Sequence, residues 1–158
     1  MRIGYGYDAH RLKAGRQCVL CGVRIPYGYG PDGHSDADVP VHALIDAILG
    51  AVARGDIGTR FPDSDEAWAG ADSMGLLRMV WGEAASMGFV FGNADITIIM
   101  QKPKLIAYIG QMRANISDAL GVPPERVNVK ATTEEGLGFT GEGLGVASSA
   151  VVLLEEAR

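Results

Sequence analysis

Apolar and polar positions along the chain switch between a strand pattern and a helical one, and the switches lay out its elements. Residues 2–8 predict a first strand and residues 18–25 a second, ended by Pro26. Val39, Leu44, Ile45, Ile48, Leu49 and Val52 then follow helical spacing. Asp38 suits the N-cap of that helix, Pro40 its first turn and Gly55 its end. Residues 56–70 have the composition of a loop. A second helix is predicted from Asp72 to Met87, closed by Gly88. Residues 89–100 form a strand pattern with Asp95–Met100 at its centre. Pro103 is expected to open a third helix, which Gly121 ends. A strand at 127–131, a polar glycine-rich loop at 132–145 and a buried strand at 146–154 complete the chain. Helices that return between strands imply a sheet with helices packed on one side.

There are no internal repeats, low-complexity segments or long linkers, so one domain over residues 1–158 is expected. Hydrophobic residues make up 47% and charged residues 21%, which is ordinary for a globular chain. The 22 glycines are about twice the usual share and point to tight turns and close backbone approaches. No apolar run nears the roughly 18 residues that span a bilayer, so no membrane association is expected. The N-terminus MRIGYGYDAH lacks the basic start and apolar core of an export signal, so a cytoplasmic location is expected. A net charge of -5 argues against a broadly basic nucleic-acid surface. An anionic ligand would need positive charge supplied locally, and a metal ion does this compactly.

Cys18 and Cys21 form the only cysteine pair. No second pair completes a zinc site. On one continuous strand, positions three apart also point to opposite faces, so the two thiols are not expected to share an ion or a disulfide.

The three histidines, His10, His34 and His42, all lie in the first 42 residues, beside Asp8, Asp36, Asp38 and Asp46. Asp8 and His10 are two apart, which puts both on one face of a strand end. His42 sits one turn into the first helix. Two nitrogens and one carboxylate fit a catalytic zinc with an open fourth position. Asp46, four residues after His42, could accept the other ring N–H of His42. Spacing alone leaves the plainer alternative open: Asp8 caps a turn, His10 lies at the surface, His42 packs and Asp46 is solvated. A second constellation is Val127-Asn-Val-Lys-Ala-Thr-Thr-Glu-Glu-Gly-Leu-Gly-Phe-Thr-Gly. Hydroxyls and free N–H groups at such a strand–loop junction suit phosphate oxygens, and Glu134 or Glu135 could hold magnesium against them. An ordinary Thr/Gly turn accounts for the same segment.

Taken together, Asp8-Ala-His10, His34-Ser-Asp-Ala-Asp-Val-Pro-Val-His42, Gly55-Asp-Ile-Gly58, Phe61-Pro-Asp63 and Lys130-Ala-Thr-Thr-Glu with Gly-Leu-Gly-Phe-Thr-Gly resemble the 2-C-methyl-D-erythritol 2,4-cyclodiphosphate synthases, in order and over almost the whole chain. The resemblance implies an α/β (α+β) fold with a mixed four-stranded sheet, helices on one face, and a homotrimer with active sites between subunits. It implies a lyase of the non-mevalonate isoprenoid route, which converts 4-diphosphocytidyl-2-C-methyl-D-erythritol 2-phosphate into the cyclodiphosphate and CMP. Asp8, His10 and His42 would bind Zn2+, and Glu135 would help hold Mg2+ or Mn2+ against the substrate diphosphate. His34 and Thr133 would steady the transition state, with Ser35 beside them. Asp8, Ala9 and His10 would also line the substrate site. Asp56, Ile57 and Gly58 would meet the ribose, and Phe61, Pro62, Asp63, Ser64 and Asp65 would frame the methylerythritol. Met100, Gln101, Lys102, Pro103, Lys104, Leu105, Ile106 and Ala131 would form the cytosine pocket on the neighbouring subunit's side. Thr132, Thr133, Glu134, Glu135 and Phe139 would complete the phosphate end. The chain departs from the family pattern at Gly136, Glu142 and Leu144, where relatives carry basic, basic and acidic residues. Glu142 and Leu144 would disfavour an isoprenoid diphosphate on the trimer axis. Two readings of other classes remain: a zinc phosphohydrolase releasing a linear phosphate, and a metal-binding assembly protein without turnover.

Overall fold

The computed structural model describes every residue except Asp63 and Arg158. Its sheet is built from β1 (Arg2–Ala14), β4 (Tyr29–Pro31), β5 (Phe89–Ile99), β6 (Val127–Thr132) and β7 (Gly145–Glu156), in the order β4-β1-β7-β5-β6. β5 and β6 run parallel and the remaining pairs antiparallel, so the sheet is mixed. Four strands are long, as expected, and β4 is a three-residue addition at the edge.

The predicted second strand divides into a hairpin of β2 (Cys18–Leu20) and β3 (Val23–Ile25). Cys21 and Gly22 between them both have positive φ, 49° and 70°, which matches the twist of a two-residue hairpin turn. Cys21 is therefore a turn residue, and the opposite-faces reasoning for the cysteine pair does not apply. Both thiols are free and buried. Burial, with the nearby charge of Asp38, pushes the Cys18 thiol up to about 11 and that of Cys21 well above its ordinary value. Protonated thiols are poor nucleophiles and poor ligands.

α1 (Val39–Ala51) begins where its sequence says it should. Asp38 is the N-cap and its carboxylate accepts the Val41 N–H. Only Asp46 and Gly50 of this helix escape full burial. α1 lies between the sheet and α3 (Ser73–Ser86), and α4 (Ile109–Leu120) covers β6. Leu44, Ile48, Leu77, Phe91, Ile96, Met112 and Leu154 form the centre of the core, each contributing about 1.5–3 kcal/mol by burial. Gly121 ends α4 in the left-handed conformation, as predicted. Pro103 does not open that helix. It stands six residues ahead of Ile109, beyond a 3-10 turn at Ile106–Tyr108, because Met100 and Leu105 are drawn into the core and hold the intervening segment as a wall. The two expected loops each contain a helical turn, α2 (Ile57–Arg60) with a 3-10 turn at Glu66–Trp68, and α5 (Gly138–Gly141).

Candidate active site and metal centre

β1 presents Gly4, Gly6, Asp8 and His10 toward α1 and the odd residues away, because side chains alternate along a strand. A Cβ at Gly4 would lie 1.7 Å from the Ala47 carbonyl oxygen, and one at Gly6 would lie 1.9 Å from that of Ala43. Two glycines thus let the helix rest directly on the strand backbone. Asp8 and His10 continue the row past the start of the helix, where His42 meets them.

The Asp8 Oδ2 atom lies 3.1 Å from His42 Nδ1 and 3.2 Å from His10 Nε2. The imidazole rings cross at 62° with centroids 5.8 Å apart. Burial pushes the Asp8 carboxyl up, but the His10 and His42 rings beside it outweigh that and hold the carboxyl well below the usual carboxylate range. The outer nitrogens of both rings already face acceptors. His10 Nδ1 lies 2.5 Å from the Asp32 carbonyl oxygen, which can only accept. His42 Nε2 lies 2.8 Å from Ser73 Oγ and 3.3 Å from Ser35 Oγ. With neutral rings whose outer nitrogens carry the protons, both inner nitrogens turn lone pairs toward an ionised carboxylate. A cation among the three ligand atoms, which all lie within 4.8 Å of one another, removes that conflict. Ligand separations of 3.1–3.2 Å are close to the about 3.4 Å that tetrahedral bonds near 2.1 Å require. The residues present fit a divalent metal.

The loop from β4 to α1 completes this pocket. The Arg16 guanidinium donates to the carbonyls of Pro31 and Gly33, and Ser35 Oγ accepts the Ala37 N–H. Ala37 is held at φ 54°, a conformation that costs a non-glycine residue about 1 kcal/mol. The Gly70 N–H donates to the His34 carbonyl. The resulting cavity, about 330 Å³, is lined by Asp8, Ala9, His10, His34, Ser35, His42, Ile57, Gly58, Phe61 and Asp65, with Gly33, Trp68, Ala69 and Leu76. Asp46 does not accept from His42. Its carboxylate instead accepts the Ile57 N–H at 2.7 Å and so ties α2 to α1. Asp56 caps α2 through the Thr59 N–H and stands exposed, next in sequence to the lining residue Ile57. Pro62 is half-buried and Ser64 exposed beside them, and Asp63 lies outside the described residues.

The remaining predicted residues gather elsewhere. Met100, Gln101, Lys102, Pro103, Lys104, Leu105, Ile106, Ala131, Thr132 and Thr133 line a separate, larger cavity of about 910 Å³, with Tyr27, Ile109, Val129 and Lys130. Thr133, Glu134 and Glu135 border a third, shallow cleft with Leu137 and Gly138. The Thr140 hydroxyl donates to Glu134, and the Gly136 N–H donates to Gln101 Oε1, which fastens the glycine-rich loop to the large cavity. Phe139 is exposed and leans on Gly145. Thr133 and Glu135 therefore do not share a cavity with Asp8, His10 and His42 within one chain. Ser73 was not foreseen at the site. It stands at the first position of α3, and no local spacing pairs it with His42, 31 residues away.

Fold and pocket together define a mixed α/β protein with a metal-capable Asp–His–His centre at the floor of a cleft. The chain matches the YgbB family over residues 1–155. It is 56% identical over 153 residues to the 2-C-methyl-D-erythritol 2,4-cyclodiphosphate synthase of Methylococcus capsulatus, covering 97% of each chain. The bifunctional IspDF of Campylobacter jejuni superposes with a TM-score of 0.94 at 41% identity, over 98% of this chain and 42% of that longer one. The IspF–CDP complex of Plasmodium falciparum superposes with a TM-score of 0.88 at 34% identity, over 99% and 97%. The chain belongs to the YgbB family, that of the 2-C-methyl-D-erythritol 2,4-cyclodiphosphate synthases of isoprenoid biosynthesis. None of its described helices is long and apolar enough to cross a membrane.

Proposed function

We propose that the chain, as one catalytic domain over residues 1–158, cyclises 4-diphosphocytidyl-2-C-methyl-D-erythritol 2-phosphate and releases CMP. The observation that carries this reading is the convergence of His10 and His42 on Asp8. Three protein ligands of N, N and O type suit Zn2+ with one position left for a phosphate oxygen. Bound there, zinc would act as a Lewis acid that draws charge from that oxygen. The substrate's 2-phosphate oxygen forms a bond to the β-phosphorus while the bond from that phosphorus to the α,β-bridging oxygen breaks, and CMP leaves with the electron pair. Attacker and electrophile belong to one molecule, so the protein supplies positioning and charge stabilisation and no nucleophile.

The side chains divide that work. His34 and Ser35, on the wall of the metal pocket, face the reacting phosphates. Donors so placed are worth about 3–4 kcal/mol in the transition state. Ile57, Gly58 and the exposed Asp56 hold the ribose, and Phe61 and Asp65 pack the methylerythritol. The large cavity between Met100 and Thr133 takes the cytosine, in keeping with the CDP complex of the Plasmodium falciparum relative. Glu135 would hold Mg2+ or Mn2+ on the diphosphate, with Thr133 beside it. In one chain the cytosine and metal cavities are separate, which supports a homotrimer whose sites combine the metal pocket of one subunit with the large cavity of the next. The sheet face away from α1 supports this further: Ile3, Tyr5, Tyr7 and Val151 stand exposed on it. A cytoplasmic setting suits a phosphorylated, nucleotide-linked substrate.

Purified protein incubated with this substrate, zinc and magnesium should give two coupled ring-diphosphate signals and free CMP in phosphorus NMR. CMP with only linear phosphates would replace this reading with a metal-dependent hydrolase.

A further inference from the structure

His42 reaches past the metal pocket to a pair of side chains from two other elements. Its Nε2 atom lies 2.8 Å from Ser73 Oγ, at the first position of α3. Ser73 is fully buried. The Ser73 hydroxyl donates to Asp36 Oδ1, and the Ser73 N–H donates to Asp36 Oδ2 at 3.1 Å. One carboxylate therefore engages both polar hydrogens of one serine. A carboxylate only accepts, and a hydroxyl has a single proton. That proton is committed to Asp36, so Ser73 Oγ turns a lone pair toward His42 and accepts from its Nε2–H. In the neutral ring Nδ1 is then the bare nitrogen, and Nδ1 is the atom 3.1 Å from Asp8.

We propose that Asp36 and Ser73 are positioning residues that lock His42 in the Nε2–H tautomer and so aim a free Nδ1 lone pair into the Asp8–His10–His42 cluster. The inference rests on the reading of that cluster as a metal site. The same contact joins α3, which carries no ligand of its own, to the metal-bearing end of α1. Ser35 Oγ, 3.3 Å from the same nitrogen, is a longer second contact, and it lines the pocket.

The test compares native protein with Ser73→Ala, Ser73→Thr, Asp36→Ala and His42→Ala. Zinc affinity is read by competition with a chromophoric chelator. The His42 tautomer is read from ring nitrogen shifts of the zinc-free protein at pH 8, and folding from thermal melting without metal. Ser73→Ala and Asp36→Ala should melt cooperatively yet bind zinc about 10- to 100-fold more weakly, the loss typical of groups that orient a ligand histidine. Ser73→Thr keeps the hydroxyl and should restore most of the affinity. In Asp36→Ala the Ser73 proton is released to donate to Nε2, so the spectrum should shift toward the Nδ1–H tautomer. Zinc affinity within twofold of native in both Ser73→Ala and Asp36→Ala overturns the proposal. So does a loss of affinity in Asp36→Ala with an unchanged tautomer, since that marks a merely structural role. Native protein that binds zinc no better than His42→Ala overturns the metal reading and this inference with it.

Discussion

Replacing Gly6 by alanine probes how closely the site depends on the contact between helix and strand. The added Cβ would sit 1.9 Å from the Ala43 carbonyl oxygen and 2.8 Å from the Ala47 nitrogen. Real Cβ atoms stay beyond 3.0 Å, so α1 must withdraw by at least 1.1 Å, the difference between 3.0 and 1.9. No flexible side chain can absorb the shift, because both contacts are backbone. His42 directly precedes Ala43 and moves with it. Its 3.1 Å approach to Asp8 then opens toward about 4 Å, beyond the span that ligand bonds near 2.1 Å tolerate. Overpacking of this kind costs about 1–3 kcal/mol in stability, and a misplacement near 1 Å costs about 100-fold in turnover. Gly6→Ala should therefore lower the denaturant midpoint and the zinc affinity together. Gly82→Ala on α3 is the control: nothing lies within 4 Å of its Cβ, and a gain of up to about 1 kcal/mol is expected from helix propensity. A Gly6→Ala protein as stable as native, with native zinc affinity, would refute the close-contact reasoning.

His42→Ala should lower zinc occupancy and cyclisation in parallel, and full activity without bound zinc would remove the metal from the mechanism. Tyr5→Glu places charge on the exposed apolar sheet face and should lower the sedimenting mass of the assembly proposed above toward that of the 16.7 kDa monomer; an unchanged assembly would mean that it uses another face. Asp38 is fully buried, and burial pushes its carboxyl up to about 7 despite the N–H groups of Gly22 and Cys21 that it accepts. Its neutral form is thus favoured in the folded state. The stability it contributes is complete below the unfolded carboxyl value of about 3.9 and is lost as pH rises toward 7. Denaturation of native and Asp38→Asn proteins between pH 4 and 8 should show a steeper downward slope in the native, because the burial-raised Asp46 carboxyl acts in both, and parallel curves would refute the assignment. Glu142 and Leu144 are both exposed on the glycine-rich side. Calorimetry with geranyl diphosphate should show no saturable binding, and tight binding would contradict the charge reasoning.

The long elements were legible because local chemistry settled them. Asp38, Pro40, Asp72, Gly88 and Gly121 act at the helix ends where their backbone preferences put them. The hairpin at residues 18–25 was hidden because its turn uses cysteine at a positive-φ position that asparagine or glycine usually fills. Pro103 misled because a proline that suits a helix start also suits a cavity wall. Asp8, His10 and His42 could be proposed from strand and helix periods. Their convergence could not, because it depends on how deeply α1 settles onto Gly4 and Gly6. Helical spacing puts Asp46 within reach of His42 and equally allows it a solvated position. It was captured instead by the Ile57 N–H, a contact across a loop whose course no period encodes. Ser73 and Asp36, 37 residues apart, meet only once α3 has packed against α1.

β1 keeps two inventories in a single run of residues. The even positions from Gly4 to His10 set the helix distance and the ligand geometry, and the odd ones from Ile3 to Tyr7 form the apolar outer surface. The two sets do separate work, because a change on one face leaves the other in place. Their phase cannot vary. A slip of one residue in the ten-residue register with β7 would drive tyrosines into α1 and turn both ligands outward. An insertion or deletion within Arg2–His10 is therefore more damaging than a substitution on either face, since it breaks both inventories at once.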